Sequence, residues 1–439
     1  MELTLKHALR LTPKPRVAFV GGGGKTTSLF HLARQLAPVI VCASTHLSLD
    51  QISQADQHFI LDSLDDTRQL DGISPMGVIL LTGPIEGERT RGLSGEIFSW
   101  LREFCDRQAL PLLIEADGSR QRPLKAPAEY EPVIPDFVDH VIVVAGLLGV
   151  GNPLTSKWVH RPERFSSLSG LPLGEPITIQ ALARVLTHAK GGLRSIPPHA
   201  RRIALLNQAD TPLAQAEAGH LASILRSSYE LVITASVGEG VIHAAHSRVA
   251  GVILAAGQAK RYGLPKQLLL WHGRPLIWHV ANTALNSGLS PVVVVSGAYT
   301  SELKTALAGL PVEIVENTAW RTGQSSSVRG GIQALGTRAE AAVFLLADQP
   351  QIPTTLIHSL VDTHAQTGSP IIAPIIDGQR SNPVLFDKAL FPDLKMLSGD
   401  VGGRQLFSRY KPHWLPWFDD RLLIDIDTPD DYQRLLDLA

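Results

Sequence analysis

The chain has 439 residues, 44% hydrophobic and 18% charged, with 37 Gly, 30 Pro and a formal net charge of -1. At the usual ~100–200 residues per domain this length requires more than one core, and the composition is that of an α/β enzyme rather than a disordered chain. A near-neutral chain has no global field to draw it to nucleic acid or to an anionic membrane, so neither is expected as a partner. The longest apolar run, VIVVAGLLGV at 141–150, falls far short of the ~20 residues that span a bilayer. The opening MELTLKHALR lacks the apolar centre of a secretory signal, so a cytoplasmic location is expected. Cys42 and Cys105 are too few for a disulfide framework and read as buried thiols. His243 and His246, in HAAH, read as a surface helix pair rather than metal ligands.

In chain order, the first element is RVAFV from Arg16, an apolar strand that ends in Gly21, Gly22, Gly23, Gly24 and Lys25-Thr26-Thr27, followed by a helical pattern. This approaches the phosphate-binding pattern G-x-x-x-x-G-K-[ST], with Phe19 where its first glycine would stand. The glycines are expected to leave backbone N–H groups free for a phosphate, Lys25 to reach its outer oxygens, and Thr26 to help hold Mg²⁺. Further apolar runs follow at 38–45, 77–83, 111–118, 140–146 and 202–210. Their continuous hydrophobicity predicts strands buried on both faces of a mainly parallel sheet.

Two of these strands end in chemistry. LLIEADG places Glu115 and Asp117 where an acid orients a metal ion, as a Walker-B Asp does, or caps the following turn; of the two, Asp117 is the expected metal ligand. LLNQAD gives Asn207 and Asp210 an N-x-x-D spacing that resembles the guanine-reading N-K-x-D motif, with Gln208 in place of the lysine; an Asn/Asp-rich turn explains the spacing equally well. Arg120, Arg122 and Lys125 then follow the acidic strand as candidate anion contacts, or as a solvated loop. Together the glycine loop, the EADGSRQRPLK segment and LLNQAD resemble the selenium-dependent hydroxylase accessory proteins, also described as selenium cofactor biosynthesis proteins. That resemblance covers roughly residues 5–245 and implies an accessory role in hydroxylase maturation rather than a reaction; the glycine loop adds nucleotide binding, with ATP or GTP as the candidates.

The second half repeats the plan. VAGVILAAGQAKRYGLPKQLLL from Val249 reads as a strand, a glycine turn and a helical pattern, and runs at 291–298, 312–317, 341–350 and 369–375 supply further strands. The domain boundary is placed near 245–249, giving domains 1–246 and 247–439. Ala255, Ala256 and Gly257 would let the backbone approach a nucleotide, and Arg261 and Lys266 would meet its triphosphate. The pattern L-A-A-G-x-x-x-R-x-G-x-x-K-x-L resembles the entrance loop of the MobA-like nucleotidyltransferases. ENTAWRTGQSSSVRGGI, LLADQP, DGQRSNPVLF, SGDVGGRQLF and LLIDIDTPDDY then follow in the order found in molybdenum cofactor cytidylyltransferases.

This resemblance implies a fold of two Rossmann-like three-layer α/β domains, the first P-loop NTPase-like and the second MobA-like. It implies CMP transfer from CTP to molybdopterin, with Mg²⁺ held by Asp348 and Asp427 at two strand ends. Arg261 and Lys266 would act on the leaving pyrophosphate, while Ser326 and Ser327 lie near the base. Asn382 and Arg404 would contact the pterin or support loops. An apo molybdenum hydroxylase is the implied partner. A guanylyltransferase, another small-molecule nucleotidyltransferase of the same fold, or a nucleotide-gated cofactor chaperone are the alternatives.

Overall fold

The computed structural model describes residues 3–257 and 265–437. The chain folds as two compact units, Met1–His246 and Ser247–Ala439.

The first unit is built on strands β1 (Arg16–Gly21), β2 (Val39–Ala43), β3 (Gln57–Ile60), β4 (Val78–Thr82), β5 (Leu112–Glu115), β6 (His140–Gly146), β7 (Arg201–Asn207), β8 (Leu231–Ser236) and β9 (Val241–Ser247). Among the described residues these form one nine-stranded sheet, in the order β9-β8-β7-β6-β1-β5-β2-β4-β3. The pairings from β3 through to β8 are parallel. Side chains alternate across it: Ala18 and Val20 of β1 join the core on one face, Val17 and Phe19 that on the other. Helix α1 (Lys25–Leu36) packs Leu29, Phe30 and Leu32 on the Phe19 face, and α2 (Gly95–Gln108) packs Ile97, Leu101 and Phe104 on the opposite one. Strands covered on both faces must be apolar throughout, which is the pattern the sequence carries.

The second unit has strands β10 (Val249–Leu254), β11 (Val292–Ser296), β12 (Glu313–Glu316), β13 (Ala341–Leu346), β14 (Ile371–Ile376), β15 (Gln379–Arg380), β16 (Val384–Asp387) and β17 (His413–Pro416). Its sheet runs β12-β11-β10-β13-β16-β14-β15, with β17 on β14. Pairing is parallel from β12 to β13 and turns antiparallel at β16, so the sheet is mixed. Helices α4 (Leu276–Asn286) and α6 (Thr354–Thr367) cover one face and α5 (Gln324–Leu335) the other, giving three layers. A further helix, α3 (Pro212–Leu225), belongs to the first unit, and α7 (Pro429–Asp437) ends the described chain.

Three local expectations are corrected. His243 and His246 lie on strand β9, not on a helix; Ile242, Ala244 and Ala245 are buried along it, and His243 Nε2 meets Ser236 Oγ at 2.9 Å. Among the described residues no group of three or more His, Cys, Asp or Glu converges to hold a metal. The LPKQLLL segment forms a 3-10 turn at Lys266–Leu268 and a Leu270–Trp271/Arg274–Pro275 hairpin, because Pro265, the left-handed Gly273 and Pro275 interrupt a helix. Asp425 and Asp427 follow a 3-10 turn, Asp420–Leu423, rather than a strand. Side chains hold this segment in place of a ladder: Gln351 Nε2 donates to Ile424 O at 2.8 Å and Ser381 Oγ to Leu422 O at 2.9 Å.

Candidate functional site

In the first unit, Phe19 is fully buried within β1, so the strand continues where the phosphate-loop pattern would already turn. The turn begins at Gly21, and Gly21, Gly23 and Gly24 have φ of 100, 82 and 101°. A Cβ on Gly23 would lie 2.3 Å from Gly146 N, and one on Gly21 2.2 Å from Val144 O, so only glycine lets this loop lie against β6.

That close packing corrects the expectation of a free cradle. Gly21 N donates to the Asp117 carboxylate at 3.1 Å, Gly22 N to Val144 O at 2.9 Å, and Gly23 N to Arg122 O at 3.0 Å. Buried N–H groups must find acceptors, and these three have found them inside the protein. The donors left for a phosphate are those of the first turn of α1, capped by Gly24, where helical N–H groups have no intrahelical acceptor.

Lys25 is buried, its Nζ donating to Gly21 O at 3.0 Å and lying 3.4 Å from Asp117 and 3.7 Å from Glu115. Thr26 Oγ1 donates to Glu115 Oε2 at 2.7 Å and accepts from Gln51 Nε2. The acid beside the threonine hydroxyl is therefore Glu115, whereas Asp117 is committed to Gly21 and, at 2.7 Å, to Lys125. Burial raises the Glu115 pKa above the ordinary carboxyl value, against the Lys25 charge and the Thr26 hydrogen bond.

Lys125 is likewise spent, on Asp117, on Glu131 at 2.7 Å and on Gly118 O at 2.6 Å, so it is no ligand contact. Arg120 is exposed and Arg122 half-buried. Asn207 is buried and bridges two loops, its Nδ2 donating to Gly23 O at 2.8 Å while its Oδ1 accepts from Val237 N at 2.9 Å. Asp210 is exposed three residues further on.

In the second unit, Ala255 and Ala256 are buried directly after β10 and Gly257 is exposed. A Cβ on Gly297 would meet Ala256 O at 2.7 Å, so the first turn after β11 packs tightly on this entrance. Arg261 lies outside the described residues. Lys266 Nζ is 2.5 Å from Asp427 Oδ1. Asp348, partly buried just beyond β13, has its pKa raised first by burial and then by the charges of Asp425 and Asp427; Lys266 opposes the rise. Gln349 Nε2 fixes Asp425 Oδ1 at 2.6 Å. The Lys266–Asp427 pair and Asp425 thus act on Asp348 through their charges at the carboxyl edge of β10 and β13, where open α/β sheets bind their ligands.

Ser325, Ser326 and Ser327 open α5 and are buried. Asn317 Nδ2 donates to Ser326 Oγ at 2.8 Å and Ser327 Oγ at 3.0 Å, and Ser325 Oγ donates to Gly399 O at 2.7 Å. The serines therefore lock the 317–327 and 398–400 segments together, a clamp role that their spacing alone does not reveal. A cavity of about 220 Å³ adjoins them, walled by Leu254, Phe344, Leu346 and Phe386, with Gln324, Asn382, Arg404 and Asp425 as its polar groups. The structure thus brings together Asp348, Asp425, Asp427 and Lys266, and sets Asn382 and Arg404 around a pocket that also reaches Asp425. Asp425 and Gln349 both lie in stretches singled out from the sequence, but only the folded chain shows them touching.

The YqeC protein family matches residues 17–163, and the MobA-like NTP transferase domain family matches residues 251–413. The YqeC protein of Escherichia coli (strain K12) is 30% identical over 213 residues, 46% of this chain and 80% of that protein. The nicotine blue oxidoreductase of Paenarthrobacter nicotinovorans is 36% identical over 201 residues, 43% of this chain and 96% of that protein. A "Probable molybdenum cofactor guanylyltransferase" of Bacillus cereus (strain AH187) is 28% identical over 141 residues, 32% of this chain and 67% of that protein. The second unit is a nucleotidyltransferase domain, joined in one chain to a second α/β unit. The chain belongs to both families, with an N-terminal YqeC domain and a C-terminal MobA-like NTP transferase domain.

Proposed function

We propose that residues 247–439 transfer CMP from CTP to the terminal phosphate of molybdopterin, giving the cytosine dinucleotide form of the cofactor and pyrophosphate. The observation that carries this is the Lys266–Asp427 pair, whose charges with that of Asp425 act on Asp348, in a unit whose cavity has Asp425, Asn382 and Arg404 on its wall. A phosphate monoester has a second pKa of about 6, so the acceptor is already largely dianionic at neutral pH and no side-chain base is needed. One of its oxygens forms a bond to the α-phosphorus of CTP while the bond from that phosphorus to the bridging oxygen breaks, and pyrophosphate leaves. Lys266, now paired with Asp427, is placed to exchange that partner for the developing charge on the leaving group, a role Arg261 shares.

Asp348 and Asp427 would hold Mg²⁺, which supplies the charge neutralisation that lets two anions meet. Their chemistry fits: two carboxylates suit a cation, since Mg²⁺ is usually bound by one or two carboxylates with phosphates and water completing its shell. The LAAG entrance, closed by two buried alanines against Gly297, favours a pyrimidine over guanine.

Residues 1–246 act as a P-loop NTPase-like accessory unit. ATP or GTP would lie at the first turn of α1, with Lys25 on its phosphates and Thr26 and Glu115 as the residues that would hold Mg²⁺, in support of apo molybdenum hydroxylase maturation. The Thr26–Glu115 contact supports that placement, whereas Asp117 is occupied.

The test is pyrophosphate release by the purified chain with Mg²⁺, molybdopterin and CTP, GTP or ATP in turn. CTP is expected to be fastest, and Lys266→Ala to cost about 100-fold, the size of one charge-stabilising donor. Faster turnover with GTP moves the assignment to guanylyl transfer; full activity of Asp348→Ala removes the metal role.

A further inference from the structure

We propose that the nucleotide of the first unit is a guanine nucleotide, and that Asp210 selects it. The inference rests on nucleotide binding at the first turn of α1 and adds the base.

Two uses compete for the polar residues after β7, a turn or helix cap on one side and a ligand on the other, and the structure separates them. The cap of α3 is supplied by Thr211, whose Oγ1 accepts from Ala214 N at 3.2 Å. Asp210 is not needed there. It is exposed, and no side chain or backbone group of the described residues pairs with it. Asn207, by contrast, ties the end of β7 to Gly23 and to the turn after β8. In register, Gly21 stands beside Val144 on β6, and Gly146 beside Asn207 on β7. The end of β7 is therefore two strands from the glycine loop, about 10 Å at the usual strand spacing, on the same edge of a parallel sheet. A ribose and α-phosphate fill such a gap between a base and the outer phosphates.

Gln208 lies between. Its backbone is left-handed, with φ of 62°, and its Oε1 would sit 2.1 Å from a Cβ on Gly146, at the end of β6. That oxygen is buried without a hydrogen-bond partner among the described residues. A buried carbonyl left unpaired costs stability, and a donor from a ligand's ribose or base would satisfy it. Asn207 Nδ2 has two N–H groups and spends one on Gly23 O, which leaves one for an acceptor such as a purine N7.

Neither of those groups distinguishes purines, but Asp210 does. An ionised carboxylate only accepts hydrogen bonds. Guanine offers two donors on one edge, N1–H and the 2-amino group, whereas adenine presents an acceptor at N1, and xanthine replaces the amino group with a carbonyl. Changing Asp210 to Asn adds a donor beside an acceptor, which matches xanthine's N1–H and C2 carbonyl. The predicted result of that change is a switch in base rather than a simple loss.

The experiment is titration of the full-length protein, with Mg²⁺, using fluorescent GDP, ADP and XDP, for wild type, Asp210→Asn and Lys25→Ala. GDP is expected to bind at least about 10-fold more tightly than ADP or XDP, as two charge-assisted bonds imply. Lys25→Ala should remove this binding, which assigns it to the first unit, and Asp210→Asn should reverse the order of GDP and XDP. Gain of XDP binding cannot arise from misfolding. Equal binding of GDP and ADP, lost in Lys25→Ala, overturns the guanine assignment and leaves the nucleotide site standing. Absence of any binding sensitive to Lys25→Ala overturns both.

Discussion

Asp348 shows how burial of a single carboxyl group bears on stability. Burial raises its pKa, helped by Asp425 and Asp427 and opposed by Lys266. A carboxyl whose folded pKa lies above its unfolded value of about 3.9 stabilises the fold when protonated, and that contribution is lost as pH rises through the folded pKa. At neutral pH the ionised form is therefore a cost. Asp348→Asn should melt at a higher temperature than wild type at pH 7, measured without metal or nucleotide, with the gap closing as pH falls toward 4, while transferase activity is lost. A lower melting temperature for the variant at pH 7 would refute this. Glu131 behaves in the opposite sense. Burial would raise its pKa, but hydrogen bonds and charge from Arg161 and Lys125 outweigh that and hold it at about 2. Its stabilisation is present above the unfolded value of about 4.3 and lost as pH falls through 2. Glu131→Gln should cost about 2 kcal/mol at pH 7 after allowance for solvent screening. In urea titrations that difference should shrink below pH 4; a constant difference down to pH 2 would contradict it.

At the scale of elements, the two loops solve different problems. The glycine loop after β1 is held shut by Asp117, Val144 and Arg122, and its conformation depends on the absence of Cβ atoms. Gly23→Ala would place a carbon 2.3 Å from the backbone N of Gly146 in a left-handed conformation, a clash that only a shift of β6 or the loop relieves. Thermal unfolding should therefore show this variant destabilised by more than about 1 kcal/mol, the cost of a glycine replaced where φ is positive. The entrance after β10 is instead shaped by two alanines and by Gly297, and its acids arrive from β13 and the segment before α7. Sequence periodicity located β1, β5, β6, β7, β10, β11 and β13 because strands buried on both faces are apolar without interruption. It read His243 and His246 as a surface helix pair, since polar residues spaced three apart suit a helix, whereas both are half-buried on β9. It also placed a strand before Asp425, where apolar residues are in fact tied down by Gln351 and Ser381.

For the whole molecule, the chain joins two α/β units, each with its own three layers and its own cores. Since Lys25 and Lys266 belong to different units, Lys25→Ala should leave kcat/KM for CTP within about twofold of wild type, the scatter expected for independent sites. Equal loss of nucleotide binding at the first unit and of CTP turnover would mean that the two sites are coupled.

The amino-acid sequence by itself determined the class of each unit, the families, and which acids and cations could act together. Those depend on local periodicity and on residue types that chemistry demands at strand ends. Only the tertiary structure decided which polar groups remain available. Asp117 and Lys125 look like ligands in one dimension, but burial makes each satisfy partners inside the fold, while Glu115 lies beside the Thr26 hydroxyl, Asp425 lines a cavity and Asp210 stays exposed. Hydrogen-bond saturation of buried groups is a property of contacts distant in sequence, and no spacing of residues reveals it.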